Sequence, residues 1–107
     1  MKWIVETLND IVDAEVESLH AEMRARLAHI AKLIEEMGLE RVGAPHLKHL
    51  DGRLWEMRLT GRSGISRALY VVATGRRVVI VRAFVKKTQK TPRREVELAL
   101  ARAKAIL

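Results

Sequence analysis

Apolar positions along the chain follow two different periods, and the change between them divides it. From His20 onward, Met23, Leu27, Ile30, Ile34 and Met37 recur at alternating steps of four and three, which puts them on one face of a helix that Gly38 ends. Upstream, Asn9 or Asp10 caps a shorter helix with acidic first turns, and Lys2 to Val5 reads as a short first strand. After a loop containing Gly43, Pro45 and Gly52 the period drops to two. "RLWEMRLT" alternates, "ISRALYVVA" is rich in β-formers, and "RRVVIVRAFV" is continuously apolar in its middle, as a central strand is. The connectors "GRSG" and "TGRR" place glycine where short turns need positive φ. Thr91 as N-cap and Pro92 in the first helical position open a last helix, with Val96, Ala99, Leu100, Ala103 and Ile106 along one stripe. The expected fold is α+β: one domain over 1–107, with a small twisted antiparallel sheet of three to four strands, two N-terminal helices and a C-terminal helix.

Strand register decides which side chains share a face, because a slip of one residue reverses every one of them. Setting Thr60 opposite Ile65 and Thr74 opposite Arg77 aligns Trp55 with Tyr70 and Val81, Met57 with Ala68 and Ala83, and Leu59 with Ser66 and Val85. That face is nearly all apolar and suits burial under the helices. The other face then carries Glu56 beside Leu69 and Arg82, Arg58 beside Arg67 and Phe84, and Ile65 beside Lys86. Two arginines directly opposite on neighbouring strands repel by up to about 1 kcal/mol unless an anion or carboxylate bridges them. Phe84 lies on this cationic face, and Lys86, Lys87 and Lys90 extend it past the strand end. An aromatic ring among cations is a recipe for gripping single-stranded RNA. The bland alternative has the arginines splayed into solvent and Phe84 packed under the last helix.

Charge sharpens this picture. The formal net charge is +7, but residues 1–40 hold four Lys and Arg against nine Asp and Glu, whereas residues 41–107 hold sixteen against four. So basic a second part suits a polyanion, with a solubility role as the plain alternative. Arg26, on the polar side of the second helix with Glu22, Lys32 and Glu36, reads as ordinary solvated charge. Cysteine is absent, which excludes disulfides, thiol nucleophiles and cysteine metal sites. No secretory or membrane-spanning run appears, so a cytoplasmic protein with no membrane partner is expected.

The run from "GAPHLKHLDGRLWEMRLTG" through "SRALYVV" to "RAFVKKTQKTPRREVELALARA" resembles the phage-derived, HigB-like branch of the RelE/ParE toxin superfamily. The resemblance spans roughly Gly43 to Ala103. It implies the toxin of a type II toxin-antitoxin pair and an mRNA endoribonuclease acting in the ribosomal A site. An antitoxin of helix-turn-helix type is the implied partner. The implied chemistry needs no cofactor or metal: the ribose 2′-OH attacks the adjacent phosphate, leaving a 2′,3′-cyclic phosphate and a free 5′-OH. By the same resemblance Arg58 and Arg67 clamp the scissile phosphate, Lys86 and Lys87 stabilise charge and one of them protonates the leaving oxygen. Phe84 stacks a base, and Glu56 orients Arg58, with a weak general base as its alternative role. Apart from the resemblance, Lys48, Arg82 and Lys90, with Glu56 and Phe84, are expected to contact RNA on the cationic face. Loss of Arg67 or Lys86 is expected to abolish cleavage while leaving the fold intact.

The general base stays unassigned. RelE relatives place a tyrosine or histidine near the chain end, but here the end reads "ALARAKAIL" and the single tyrosine, Tyr70, falls on the core face. His46 and His49 lie in the loop before the "LWEMR" strand, within reach of the site as base candidates, but read rather as surface histidines without duty, and their spacing is too poorly supported for metal. The alternative functions are a ParE-like gyrase inhibitor and a noncatalytic nucleic-acid-docking regulator.

Overall fold

A computed structural model describes residues 2–43 and 45–107. The chain runs β1 (Ile4–Thr7), α1 (Asp10–Glu17), α2 (Ala21–Met37), a short 3-10 turn at Leu39–Arg41, β2 (Leu47–Asp51), β3 (Leu54–Gly61), β4 (Gly64–Ala73), β5 (Arg77–Val85) and α3 (Arg93–Ala103). The class is α+β as expected, but the sheet has five strands in the order β1-β5-β4-β3-β2, and β1 pairs with β5 in parallel. The segment read as a loop before "LWEMR" is in fact edge strand β2, antiparallel to β3.

Local chemistry accounts for most element ends. The Asn9 side chain accepts the Val12 N–H at 3.1 Å and starts α1, and His20 caps α2 through its Nδ1. Gly38, at φ 91°, stops α2. At the other end of the molecule Thr91 does not cap α3. Pro92 is the cap residue, because the Thr91 hydroxyl is drawn inward to a buried carboxylate. The β3–β4 turn is held from outside the sheet: Glu22 on α2 accepts from the Arg62 N–H, the Ser63 N–H and the Ser63 hydroxyl at 2.8–3.0 Å. Those hydrogen bonds, the Ser63 and Arg62 N–H foremost, hold its carboxyl down at about 2. A Cβ at Gly61 would lie within 2.5 Å of that carboxylate, so close approach, not φ, requires glycine there.

Both faces of the sheet are covered. α1 and α2 bury Met57, Leu59, Ala68, Tyr70, Val78, Ile80 and Ala83 beneath Val12, Met23, Leu27, Ile30 and Ile34. Met37, the last residue of the expected stripe, is exposed. On the reverse side α3 lays Val96, Ala99 and Ala103 over Leu54, Leu69, Val71, Val79 and Val81. The β3–β4 register is the expected one, with Trp55 opposite Tyr70 and Arg58 opposite Arg67. β4 and β5 keep the expected pairing from Ser66–Val85 to Leu69–Arg82, after which the ladder slips and Tyr70 meets Ile80. The slip corrects the expected Tyr70–Val81 pair and sends Val81 to the α3 face. α3 spans only part of its face; beyond it the sheet carries Arg58 and Arg67, with Phe84 packed at the border of the α3 cluster.

Candidate nucleic-acid interface

The row left uncovered by α3 is built by strand alternation. Glu56 and Arg58 project from β3 on the same side, Arg67 stands beside Arg58 on β4, and Phe84 stands beside Arg67 on β5. Lys48 on β2 is paired with Glu56. The ladder continues where the Lys86 N–H bonds the Ile65 carbonyl at 2.8 Å. The chain then crosses the sheet end as a strap, residues 86–91, before entering α3.

Glu56 is the hub. Its side chain is fully buried, and it accepts from Arg67 Nη1 through Oε2 and from the Thr91 hydroxyl through Oε1 at 2.6 Å. Arg58 Nε lies 3.6 Å from the same Oε2. This carboxylate bridges the two facing arginines, which resolves their repulsion without an external anion. Burial alone would raise the Glu56 carboxyl, but the hydrogen bonds from Arg67 and Thr91 and the charges of Arg67 and Arg58 bring it below its ordinary value.

The two arginines are not equivalent. Arg58 is 38% exposed, whereas Arg67 is 2% exposed beneath the strap. Arg67 Nη1 also donates to Thr91 Oγ1 at 3.1 Å and Nη2 to the Gln89 carbonyl at 3.5 Å, while its Nε is buried without a partner. Removing Arg67 would therefore strand a buried carboxylate, which corrects the expectation that its loss leaves the fold intact.

Cations gather around this hub. Lys86 has its ammonium pushed below the ordinary lysine value, by desolvation first and then by the charges of Arg67, Arg58 and Lys48. Lys86 and Lys87 line a cavity of about 410 Å³ on one side of the strap, with Gly64, Ile65 and Gln89. Lys48 and Lys90 line a second cavity of about 410 Å³ on the other side, with His49 and Thr91. The strap thus carries the basic run between two hollows.

Two of the residues expected to touch RNA are otherwise engaged. Arg82 holds Glu95 at 2.7 Å and Glu15 at 3.0 Å, and Glu15 also takes Arg102 at 2.8 Å and the Ala83 N–H at 3.2 Å. Phe84 is half-buried against the α3 cluster, with the Arg82 guanidinium 5.5 Å from its ring centre. His49 packs edge-on against Trp55 and bonds the Gly52 carbonyl, as a structural histidine does. Sequence reasoning missed Thr91 as a site residue, because its place before Pro92 reads as a cap. It also missed Arg26 and His29 of α2, which line a cavity with Arg58. A cavity of about 880 Å³ opens near Trp3 and Met37 and is lined by none of these residues.

Among the described residues no group of three or more His, Asp or Glu side chains is placed to hold a metal, and no helix is long and apolar enough to cross a membrane. No curated protein sequence matches the chain. Among solved structures, the chain is similar to a mutant of the E. coli toxin RelE in the free state, at 19% identity over the whole of both chains and a TM-score of 0.65. That likeness gives the fold, which is RelE-like. The family described as "Phage derived protein Gp49-like (DUF891)" matches residues 14–104, most of the chain. The chain belongs to this Gp49-like family of phage-derived proteins.

Proposed function

We propose that this protein is the toxin of a type II toxin-antitoxin pair, of the HigB-like branch, and that it cleaves mRNA, with the ribosomal A site as the place of action. The observation that carries the reading is the gathering of Arg58, Arg67, Lys48 and Lys86 around a single carboxylate at the uncovered end of the sheet. Such an excess of positive charge favours an anion, and the phosphorane-like transition state of 2′-OH attack carries more charge than the phosphodiester. In the reaction the 2′-hydroxyl gives up its proton to water as its oxygen bonds to phosphorus, the bond from phosphorus to the 5′-oxygen breaks, and the 5′-oxygen takes a proton.

Arg58, the accessible guanidinium, grips the phosphate, and Glu56 holds it in orientation with Arg67 fixed behind. Lys86, its pKa lowered by burial and like charge, is the better placed of the two lysines to give the leaving oxygen its proton, with Lys87 beside it. Phe84 offers a base the exposed part of its ring. Lys48 and Lys90 line the hollow through which the strand continues. An antitoxin of helix-turn-helix type would silence the site by covering this charge.

The test is expression without a partner, followed by mapping of RNA 5′ ends and of their chemistry. Growth arrest with new 5′-OH ends inside translated messages supports the reading. Lys86→Met should lower cleavage by about 10²–10³-fold without lowering the melting temperature. Intact transcripts in arrested cells would instead favour a gyrase-directed or docking role.

A further inference from the structure

Ahead of the first residue of β2, beyond the Leu47–Met57 pair, β3 has an open edge, and α2 passes alongside it. Between them lies a cavity of about 280 Å³ lined by Arg26 and His29 of α2, His46 just before β2, and Arg58 and Thr60 of β3. No carboxylate lines it among the described residues. The Arg26, His29 and His46 side chains have no hydrogen-bond or ion-pair partner among the described residues. Four nitrogen-bearing side chains and a hydroxyl thus converge from three parts of the chain on one hollow, and of the four only Arg58 meets a carboxylate, that of Glu56, among the described residues. On an otherwise acidic N-terminal region, Arg26 is exposed, as the sequence suggested, and it is also one wall of this hollow.

We infer that this cavity is a second anion subsite, which takes the backbone phosphate of the nucleotide next to the one held at Arg58 and Lys86 on a single-stranded RNA. The inference rests on the proposed RNA-directed function and deepens it. Arg58 belongs to both places: it lines the cavity, and its Nε lies 3.6 Å from the Glu56 carboxylate of the cationic cluster. The two anion sites are therefore joined through one guanidinium. A polymer with a phosphate at every unit fills such a pair of sites by continuing along its own chain, which an isolated carboxylate side chain does not do. Beside Ile30 and Pro45, the lining offers two guanidinium groups, two imidazoles and a hydroxyl, the kinds of group that meet phosphate oxygens. His46 is anchored for this role by its own carbonyl, which accepts the Arg58 N–H at 2.8 Å.

The test uses the full chain and a short 2′-O-methylated oligoribonucleotide, which binds but offers no 2′-OH for attack. The double variant Arg26→Ala with His29→Ala should weaken its binding at least about tenfold. The slope of log K against log salt should flatten by about 0.7, the value for one phosphate that the protein no longer neutralises. Lys32→Ala removes a cation from another part of the same helix and should bind as wild type does. Melting temperatures of all three should agree, because none of the altered side chains is buried. Binding of the double variant equal to wild type overturns the subsite and leaves the cleavage reading standing. Failure of wild-type protein to bind the oligonucleotide overturns it as well. If the oligonucleotide binds unchanged while the double variant loses affinity for an acidic peptide, the cavity belongs to a protein partner and the inference falls. Weakened binding in a protein that cleaves nothing would keep the subsite and sink the ribonuclease.

Discussion

Arg67 and Arg82 lie on the same face of the same sheet, two rows apart, and their surroundings differ in a single respect that decides their roles. Around Arg82 the charges balance: Arg82 and Arg102 face Glu15 and Glu95, with the β5 edge N–H of Ala83 also satisfied by Glu15. The set closes on itself and ties α1, β5 and α3 together. Around Arg67 they do not balance, since Glu56 alone stands against Arg58, Arg67, Lys86 and Lys48. A buried network that balances is a structural joint. One that keeps surplus cations at an opening is prepared for an anion that the protein does not itself supply.

The contrast is broken most forcefully by removing each arginine in turn. Arg82→Met leaves Glu95 buried without its partner and should cost about 3–5 kcal/mol of unfolding free energy in a denaturant titration. Arg67→Met strands Glu56 and should cost a similar amount. Cleavage separates the two. Measured per folded molecule, it should survive Arg82→Met and fall with Arg67→Met, because only Glu56 and Arg67 position Arg58. Equal loss in both variants would mean that the two networks are one machine and that the comparison is wrong.

A gentler change sharpens the same boundary. Thr91 donates to Glu56 and accepts from Arg67, so its hydroxyl is the fastening between the basic strap and the sheet. Thr91→Val keeps the shape and removes the bond, leaving buried acceptor and donor groups unsatisfied at a cost of about 1–3 kcal/mol. Amide exchange should then quicken in the strap over residues 86–91 while the Arg82 joint keeps its protection. Thr91→Ser should restore the slow exchange. Unchanged exchange in Thr91→Val would show that the strap is held by something else.

How much of this the sequence discloses depends on how local the cause is. The β3–β4 register was legible because Trp55, Met57 and Leu59 alternate with Glu56 and Arg58, so that any slip buries charge. The β4–β5 slip was not, since residues 78–81 are apolar throughout and both faces of β5 are buried; alternation carries no information there. β2 lacks β-branched residues and exposes Lys48 and His49, and it forms because β3 offers it an edge. The parallel pairing of Ile4 with Arg77 joins segments far apart in the chain and leaves no local mark. For the site, the facing of Arg58 and Arg67 could be read, but the burial of Arg67 could not, because the strap that covers it is positioned by Thr91, whose neighbours suggest a helix cap. Arg82 looked free for the same reason: its partners Glu15 and Glu95 come from two helices whose docking no periodicity fixes.

The finest distinction between the two arginine environments is electrostatic and emerges at Lys86. Its ammonium loses hydration and sits near Arg67, Arg58 and Lys48, so its folded-state pKa lies below that of an unfolded-chain lysine. Between those two values the unfolded chain holds a proton that the folded chain has released. Stability therefore rises with pH across that alkaline window, and below the folded value the full repulsion is present. Lys86→Met removes this rise, so the difference in stability between wild type and variant should narrow as pH climbs toward the ordinary lysine range. A bound phosphate-bearing oligonucleotide should reverse the shift, because an anion between Lys86 and Arg58 favours the charged form; NMR titration of the Lys86 Nζ resonance with and without the oligonucleotide reads it directly. A Lys86 pKa that stays put when the oligonucleotide binds would place the phosphate elsewhere, and the surplus charge around Arg67 would need another explanation.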